Sequence, residues 1–180
     1  MVSDAAKGKM KNRKTPIASF YANLMAFDGY YEKKWFPYTM PISDIYGLRA
    51  AFNLIAEDAT LYERHARIGS ATRAAVKEAG LKLHLQSGFS NTVTVFDIPQ
   101  CTDAKSILDT MRTKYNIMLA GSFDELSGKV IRIGHMGENA RLEHMVPTLE
   151  ALSATLTELG VTLKGNLADL FLKYYRKKEA

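Results

Sequence analysis

The sequence predicts an α/β (α+β) chain in which helices pack on one face of a small sheet. From residue 81 to residue 159 the patterns read strand, strand, helix, strand, strand, helix, an order typical of a small antiparallel or mixed sheet covered by helices. Apolar and polar residues alternate in 92–98 and 130–135, whereas apolar residues recur at helical spacing in 61–79. A hydrophobic content of 47% in 180 residues is sufficient for a packed core.

The first third of the chain predicts three helices. Ser3 is placed to cap a short helix, Pro16 to begin a second, and Ser43 or Asp44 to cap a third. The predicted spans are 3–10, 16–28 and 43–57.

The remainder predicts alternating helices and strands. A long amphipathic helix ends at Gly80, and Asp103 or Thr102 is placed to cap the next helix. Pro147 lies inside a third helical pattern, where we expect it to kink or restart the helix. The predicted helices span 61–79, 103–115, 141–159 and 165–178, and the predicted strands span 81–85, 92–98, 117–120 and 130–135.

The charge distribution argues against a nucleic-acid partner. The net charge is +5, but residues 1–14 carry +4 and residues 173–180 carry +3, so the body of the chain carries −2. Basic ends on a slightly acidic body are more typical of solubilising tails than of a groove that follows phosphates. No apolar run reaches membrane-spanning length and the N-terminus lacks the apolar core of a signal peptide, so we expect a cytoplasmic protein without a membrane partner.

Cysteine and histidine usage predicts no metal site. Cys101 is the single cysteine, so no internal disulfide can form, and we interpret it as structural. His65, His84 and His144 have no ligand-like spacing with each other or with carboxylates.

One arginine stands out in the segment 129–137 (KVIRIGHMG). Alternation places Arg132 on one face of a strand and its two isoleucine neighbours, Ile131 and Ile133, on the other. A guanidinium fork there suits a carboxylate or a phosphate. The alternative is an ordinary arginine on the solvated face of an antiparallel strand.

With further segments, this motif resembles a signature of class V aminotransferases, in the alanine:glyoxylate and serine:glyoxylate (serine:pyruvate) branch. The matching motifs occur in family order at 3–10, 13–15, 36–41, 46–49, 63–67, 92–94 and 129–140. The resemblance implies the C-terminal half of a fold-type I transferase that uses pyridoxal 5′-phosphate (PLP). It further implies that 1–58 are the tail of the large cofactor domain with its connecting helix, and that 59–180 are the small domain.

The catalytic lysine of that family has no counterpart in this chain. By the resemblance, the Schiff-base lysine lies a short distance upstream of the position of Ser3, and none of the lysines here matches it. The resemblance therefore implies that the chain alone contains no catalytic residue and is inactive, that the missing N-terminal half is a partner, and that the complete enzyme is a homodimer.

Two residues acquire roles by the resemblance. Arg132 matches the arginine that binds the substrate carboxylate, and Thr39 matches a threonine that donates to the PLP phosphate from the neighbouring subunit. From the sequence alone, Thr39 beside two prolines favours a local backbone hydrogen bond. Some relatives carry a tyrosine where this chain has Phe36, whose ring has no hydroxyl for the phosphate.

Two neighbours of Arg132 are interpreted as structural. His135 falls on the opposite strand face, and Asn139 is placed to cap the helix that begins at Arg141 or, less plausibly, to order the arginine site.

The implied function is transfer of an amino group from a small amino acid, such as serine or alanine, to a 2-oxo acid such as glyoxylate or pyruvate. The alternative is a non-catalytic carboxylate-binding or assembly module, which needs no upstream lysine.

Overall fold

The computed structural model describes residues 2–177, and the chain forms two compact units that meet in sequence between Glu57 and Asp58. The first unit contains helix α1 (Asp4–Lys11), a 3-10 turn (Leu24–Phe27) and helix α2 (Ile42–Glu57). The second contains the remaining helices and the sheet. No described helix is both long enough and apolar enough to cross a bilayer.

Helix α1 confirms the prediction made from Ser3. The Ser3 hydroxyl accepts the Ala6 backbone N–H at 3.2 Å, which satisfies one of the free donors of the first turn. Lys9 and Lys11 lie in the last turn, where positive charge interacts favourably with the helix dipole.

The predicted helix from Pro16 is wrong. Within 16–28 only Leu24–Phe27 is helical, as a single 3-10 segment capped by the Asn23 side chain, whose Oδ1 accepts the Met25 N–H at 3.1 Å. The apolar residues of this stretch contact aromatic rings instead of forming a helical stripe: Phe27 lies 5.3 Å from Tyr38 and 5.4 Å from Phe36, ring centre to ring centre. The hydrogen bond from the Met25 backbone to the Asn23 side chain competes with the backbone hydrogen bonds that a longer helix would need.

Helix α2 begins earlier than predicted. It starts at Ile42, and Ile45 donates its N–H to the Pro41 carbonyl at 3.1 Å. The prediction that Ser43 or Asp44 caps this helix is therefore wrong, because both residues already lie in its first turn. The negative charge of Asp44 there interacts favourably with the positive end of the helix dipole.

The described part of the first unit contains no buried residue. Helix α2 illustrates this, because Leu48, Phe52 and Leu54 are 58%, 62% and 68% exposed. Helices in folded proteins bury their apolar positions against another element. Residues 2–57 therefore contain no hydrophobic core.

The second unit is organised around a two-stranded antiparallel sheet. Its elements are α3 (Leu61–Glu78), β1 (Val93–Asp97), α4 (Ala104–Tyr115), β2 (Val130–Gly134), α5 (Leu142–Glu158) and α6 (Leu167–Arg176). Among these, α6 packs against both α3 and α5, and α4 packs against α5.

The sheet is smaller than predicted. The strands predicted over 81–85 and 117–120 are wrong, since each is reduced to one bridge, between Leu83 and Phe96 and between Ala120 and Arg132. The sheet edges are thus very short, which limits the unpaired backbone that they expose.

The two sheet faces differ as the alternation predicts. Phe96, Ile131 and Ile133 are completely buried and belong to the core that the helices build. Val95 pairs directly with Arg132, so these two residues share the other face. The prediction of helices packed on one face of a small sheet is confirmed.

Helix boundaries in this unit follow local chemistry. Helix α3 ends before Gly80, whose φ is +91°, and Asp103 caps α4 by accepting the Ser106 N–H at 2.9 Å. Asn166 caps α6 by accepting the Ala168 N–H at 2.8 Å, so that helix begins at Leu167 rather than Gly165. Its predicted end at 178 lies outside the described residues.

Pro147 does not restart a helix. Helix α5 continues through it from Leu142 to Glu158. The proline lies in the second turn, where the missing N–H removes one hydrogen bond close to the helix start.

We predict that Phe96→Ala lowers the free energy of unfolding by about 3–5 kcal/mol, because it leaves a cavity under the sheet. Phe89→Ala is the matched control: Phe89 is 39% exposed whereas Phe96 is fully buried. Urea unfolding followed by far-UV circular dichroism measures this, since the single tryptophan, Trp35, reports on the first unit. Equal losses in the two variants would contradict the assigned core.

A candidate carboxylate-binding site at Arg132

Arg132 lies in the middle of β2, on the face opposite the core. Its neighbours in sequence, Ile131 and Ile133, are fully buried, whereas Arg132 is only partly buried. Because side chains alternate along a strand, burial of both isoleucines directs the arginine to the other face. The orientation predicted from the sequence is confirmed.

A single backbone carbonyl fixes the guanidinium. The Nε–H of Arg132 donates to the carbonyl oxygen of Gly121 at 2.6 Å. The backbone of the same segment bonds the backbone of Arg132, since Arg132 donates its N–H to Ala120 at 2.7 Å and accepts the Ala120 N–H at 3.2 Å. The segment that forms only one bridge thus holds both the main chain and the side chain of the arginine.

The two Nη atoms remain available. Within residues 2–177 neither Nη atom has a hydrogen-bond partner, and no carboxylate there forms an ion pair with Arg132. Two parallel N–H groups match the two oxygens of a carboxylate. The geometry therefore suits a bidentate carboxylate ligand better than an internal salt bridge.

Helix α3 anchors the loop that follows β2. The His65 ring accepts the Gly137 N–H at 3.0 Å through Nε2, and its Nδ1–H donates to the Leu61 carbonyl at 2.7 Å. Arg64 donates from Nε to the Ala140 carbonyl at 3.0 Å. Gly137 has φ +58°, a conformation that glycine adopts at little cost.

An ion pair steadies Arg64. One Nη of Arg64 lies 2.6 Å from an Asp58 carboxylate oxygen, and the Arg64 side chain is only 13% exposed. The hydrogen bond from Arg64 holds the pKa of Asp58 below its ordinary value. The segments 63–67 and 129–140, far apart in sequence, are therefore in direct contact. Spacing and periodicity gave no signal of this contact.

His135 has the structural role predicted for it. It is fully buried, its Nε2 lies 2.9 Å from the Thr94 hydroxyl, and its Nδ1 lies 3.1 Å from the Asn91 carbonyl. Burial lowers the pKa of His135 to about 4. The ring is therefore neutral at pH 7, with Nδ1–H donating to Asn91 and Nε2 accepting from Thr94.

Asn139 does not cap the following helix. It lies in the 3-10 turn Gly137–Asn139, and the N-cap position of α5 belongs to Arg141. The capping prediction is wrong because Ala140 and Arg141 lie between Asn139 and Leu142, the first residue of the helix. Arg141 instead pairs with Glu138 at 2.7 Å.

Thr39 lies in the first unit, whereas Arg132 lies in the second. It is exposed, and among residues 2–177 its hydroxyl has no hydrogen-bond partner. The residue before it is anchored, since the Tyr38 hydroxyl donates to the Phe20 carbonyl at 2.6 Å. The local backbone bond that the sequence alone favoured is therefore not formed.

The remaining candidates make ordinary contacts. His84 lies 2.7 Å from Asp97, and exposed Cys101 points its Sγ toward the Gly160 carbonyl at 3.7 Å. Over the described part of the chain, no three metal-ligating side chains come together.

Comparisons with known proteins place the chain in a family. An uncharacterised aminotransferase of Methanocaldococcus jannaschii is 36% identical over 81% of this chain, and a serine–glyoxylate aminotransferase of Arabidopsis thaliana is 38% identical over 70% of it. The crystal structure of a ureidoglycine–glyoxylate aminotransferase from Bacillus subtilis superposes with a TM-score of 0.86 over 97% of this chain, at 29% identity. No protein-family model matches the chain.

The chain therefore belongs to the aminotransferase family that includes the serine–glyoxylate and alanine–glyoxylate enzymes. It corresponds to the C-terminal part of these proteins. It covers 38% of the Methanocaldococcus protein, 32% of the Arabidopsis protein and 46% of the Bacillus structure.

We predict that the protein becomes less stable as the pH is lowered below 7, because of His135. With a folded pKa of about 4 against an ordinary value of 6.5, the unfolded chain binds a proton between those values and the folded chain does not, so acid favours unfolding. The free energy of unfolding should fall by about 2 kcal/mol between pH 7 and pH 5 and stay level above pH 7 as far as this group is concerned.

Urea unfolding at pH 5, 6 and 7 measures the dependence. His135→Gln should remove most of the slope, and His144→Gln, at an exposed position, should keep it. An unchanged slope in His135→Gln would show that the buried ring is not the cause.

Proposed function

We propose that this chain is the C-terminal part of a PLP-dependent class V aminotransferase that moves an amino group from a small amino acid, such as serine or alanine, to glyoxylate or pyruvate. The observation that carries the proposal is the Arg132 guanidinium, which is held by Gly121 at 2.6 Å with both Nη atoms unpaired among the described residues. The family membership supports the same reaction class.

In this proposal Arg132 binds the α-carboxylate of the substrate. Amino and 2-oxo acids alternate in a transaminase site, and the carboxylate is the charged group that both share. A fixed guanidinium can therefore orient both substrates in the same way. His135 takes no part, because its ring lies on the core face and is neutral at pH 7.

The proposed cofactor is PLP, which when bound supplies the electron sink that amino-group transfer requires. In this chain Thr39 would hold its phosphate, because its exposed hydroxyl, which has no hydrogen-bond partner among residues 2–177, can donate to a phosphate oxygen. Phe36 offers no hydroxyl, so the phosphate contact that tyrosine makes in some relatives is absent at this position. The cofactor lysine would come from sequence upstream of this chain.

The first unit supports the need for additional polypeptide. Its described residues include no buried one, and Leu48 and Phe52 of α2 are more than half exposed. We propose that residues 1–58 complete a large cofactor domain, that 59–180 form the small domain, and that the complete enzyme is a cytoplasmic homodimer. The relatives, which are more than twice as long as the matched region, contain the additional polypeptide.

A second candidate function is a carboxylate-binding or assembly module without catalysis. It is favoured by one observation, namely that the second unit alone forms the Arg132 site. One charge-assisted pair is worth about 1.5–3 kcal/mol, so a site built only on Arg132 binds more weakly than 1 mM. Micromolar binding of an amino or 2-oxo acid by this chain without PLP would favour the module.

We predict that Arg132→Ala, in an enzyme that contains both this chain and the upstream part, lowers kcat/KM for the amino acid and the 2-oxo acid by roughly 10- to 100-fold. PLP affinity should stay unchanged, because the lost contact is to the substrate. Steady-state kinetics with both substrates and a PLP titration measure the two effects.

Arg112→Ala is the matched control, because the Arg112 side chain is 63% exposed on α4. It should leave both quantities unchanged. Parallel loss of PLP affinity and kcat/KM in Arg132→Ala would contradict the carboxylate assignment.

A further inference from the structure

An exposed aromatic ring lies beside the free side of Arg132. Phe123 is 69% exposed, and its ring centre lies 5.9 Å from the Cζ of Arg132. Large apolar side chains are usually withdrawn from water, because their burial contributes to folding. One ligand could therefore contact both the guanidinium and the exposed ring.

The loop that presents Phe123 has a defined conformation. A 3-10 turn follows directly (Asp124–Leu126), and Leu126 donates its N–H back to the Phe123 carbonyl at 3.2 Å. Asp124 has φ +49°, a conformation that costs a non-glycine residue about 1 kcal/mol or more. The ring is thus held in solvent by a turn with its own hydrogen bonds.

Phe123 and Gly121 belong to the same short segment, which therefore both holds the Arg132 side chain and places an aromatic ring beside it. The Gly121 carbonyl accepts the Nε–H at 2.6 Å, and among the described residues both Nη atoms remain without a hydrogen-bond partner. The Phe123 ring, two residues later, borders the guanidinium. A carboxylate bound by the Nη atoms would bring the rest of a short molecule toward this ring.

We propose that Phe123 is the specificity wall of the Arg132 site and selects short monocarboxylates over dicarboxylates, an inference that rests on the proposed function. The ring offers apolar contact to a methyl or methylene group of the ligand. It also excludes water from one side of the ion pair between Arg132 and the carboxylate, so that water screens their attraction less. Among the described residues Arg132 is the one cation that lies over this ring, so a second carboxylate placed against the ring would face an apolar, π-rich surface.

The test is an NMR titration of the full 180-residue chain with sodium pyruvate and, separately, with sodium 2-oxoglutarate at constant ionic strength. The probe is the Nε–Hε signal of Arg132, which the hydrogen bond to Gly121 protects from solvent. We expect a saturable shift with pyruvate and a several-fold weaker effect from 2-oxoglutarate. Phe123→Ala and Phe123→Gln should each weaken pyruvate binding about two- to fivefold, because the methyl group loses its apolar contact, and should reduce the preference for it.

Phe89→Ala is a matched control, because Phe89 is another partly exposed phenylalanine beside an arginine, with the Cζ of Arg73 4.9 Å from its ring centre. It should leave both affinities unchanged. Arg132→Gln, followed through backbone amide signals of β2, should abolish the pyruvate response.

The outcomes separate the two proposals. Loss of binding in Arg132→Gln, with wild-type affinity and preference in both Phe123 variants, would overturn the specificity role and leave the carboxylate site intact. A pyruvate response that persists in Arg132→Gln, or no response in the wild-type chain, would overturn the carboxylate site together with this inference.

Discussion

Burial of Ile131 and Ile133 under the helices is the constraint on which the candidate site depends. Both side chains are fully buried, and in a strand this fixes the face of every residue between and beside them. A slip of one residue would move Arg132 into the core, where an unpaired charge is very costly. The hydrophobic core therefore orients the arginine of the candidate site.

The second requirement is that the backbone on both sides of β2 is held in place. Before the strand, Gly121 bonds the Arg132 side chain; after it, His65 and Arg64 of α3 bond the backbone of Gly137 and Ala140. These bonds join a helix near the start of the second unit to the loop beyond the arginine. A site that binds substrate through one fixed fork benefits from this rigidity, because small displacements of a binding group are costly.

The sequence predicted those features that depend on local pattern. Alternation around Arg132 gave the correct strand face, and Ser3 and Asp103 gave correct helix caps, because each depends on residues a few positions apart. The helix from Pro16 was wrong because aromatic contacts with Phe36 and Tyr38 outweighed helical spacing. The strands at 81–85 and 117–120 were wrong because pairing along a sheet edge depends on partners distant in sequence. The neighbourhood of Phe123 and Arg132 was not predicted, because only the fold brings this ring near the guanidinium.

The two units differ in whether their residues form a hydrophobic core. The second has a continuous core that includes Phe96 and Phe171, whereas the described part of the first has no buried residue. Helix α2 thus exposes an apolar surface, and such surfaces are usually covered by another part of a protein or by a partner. In the proposed function, upstream polypeptide supplies the cofactor lysine and covers this apolar surface.

The most direct measurement is a visible absorbance titration of PLP into the purified chain, alone and mixed with a separately produced N-terminal half. We expect a band of lysine-bound PLP only in the mixture, and bleaching of that band by a small amino acid. Such a band in this chain alone, or no band in either sample, would contradict this expectation.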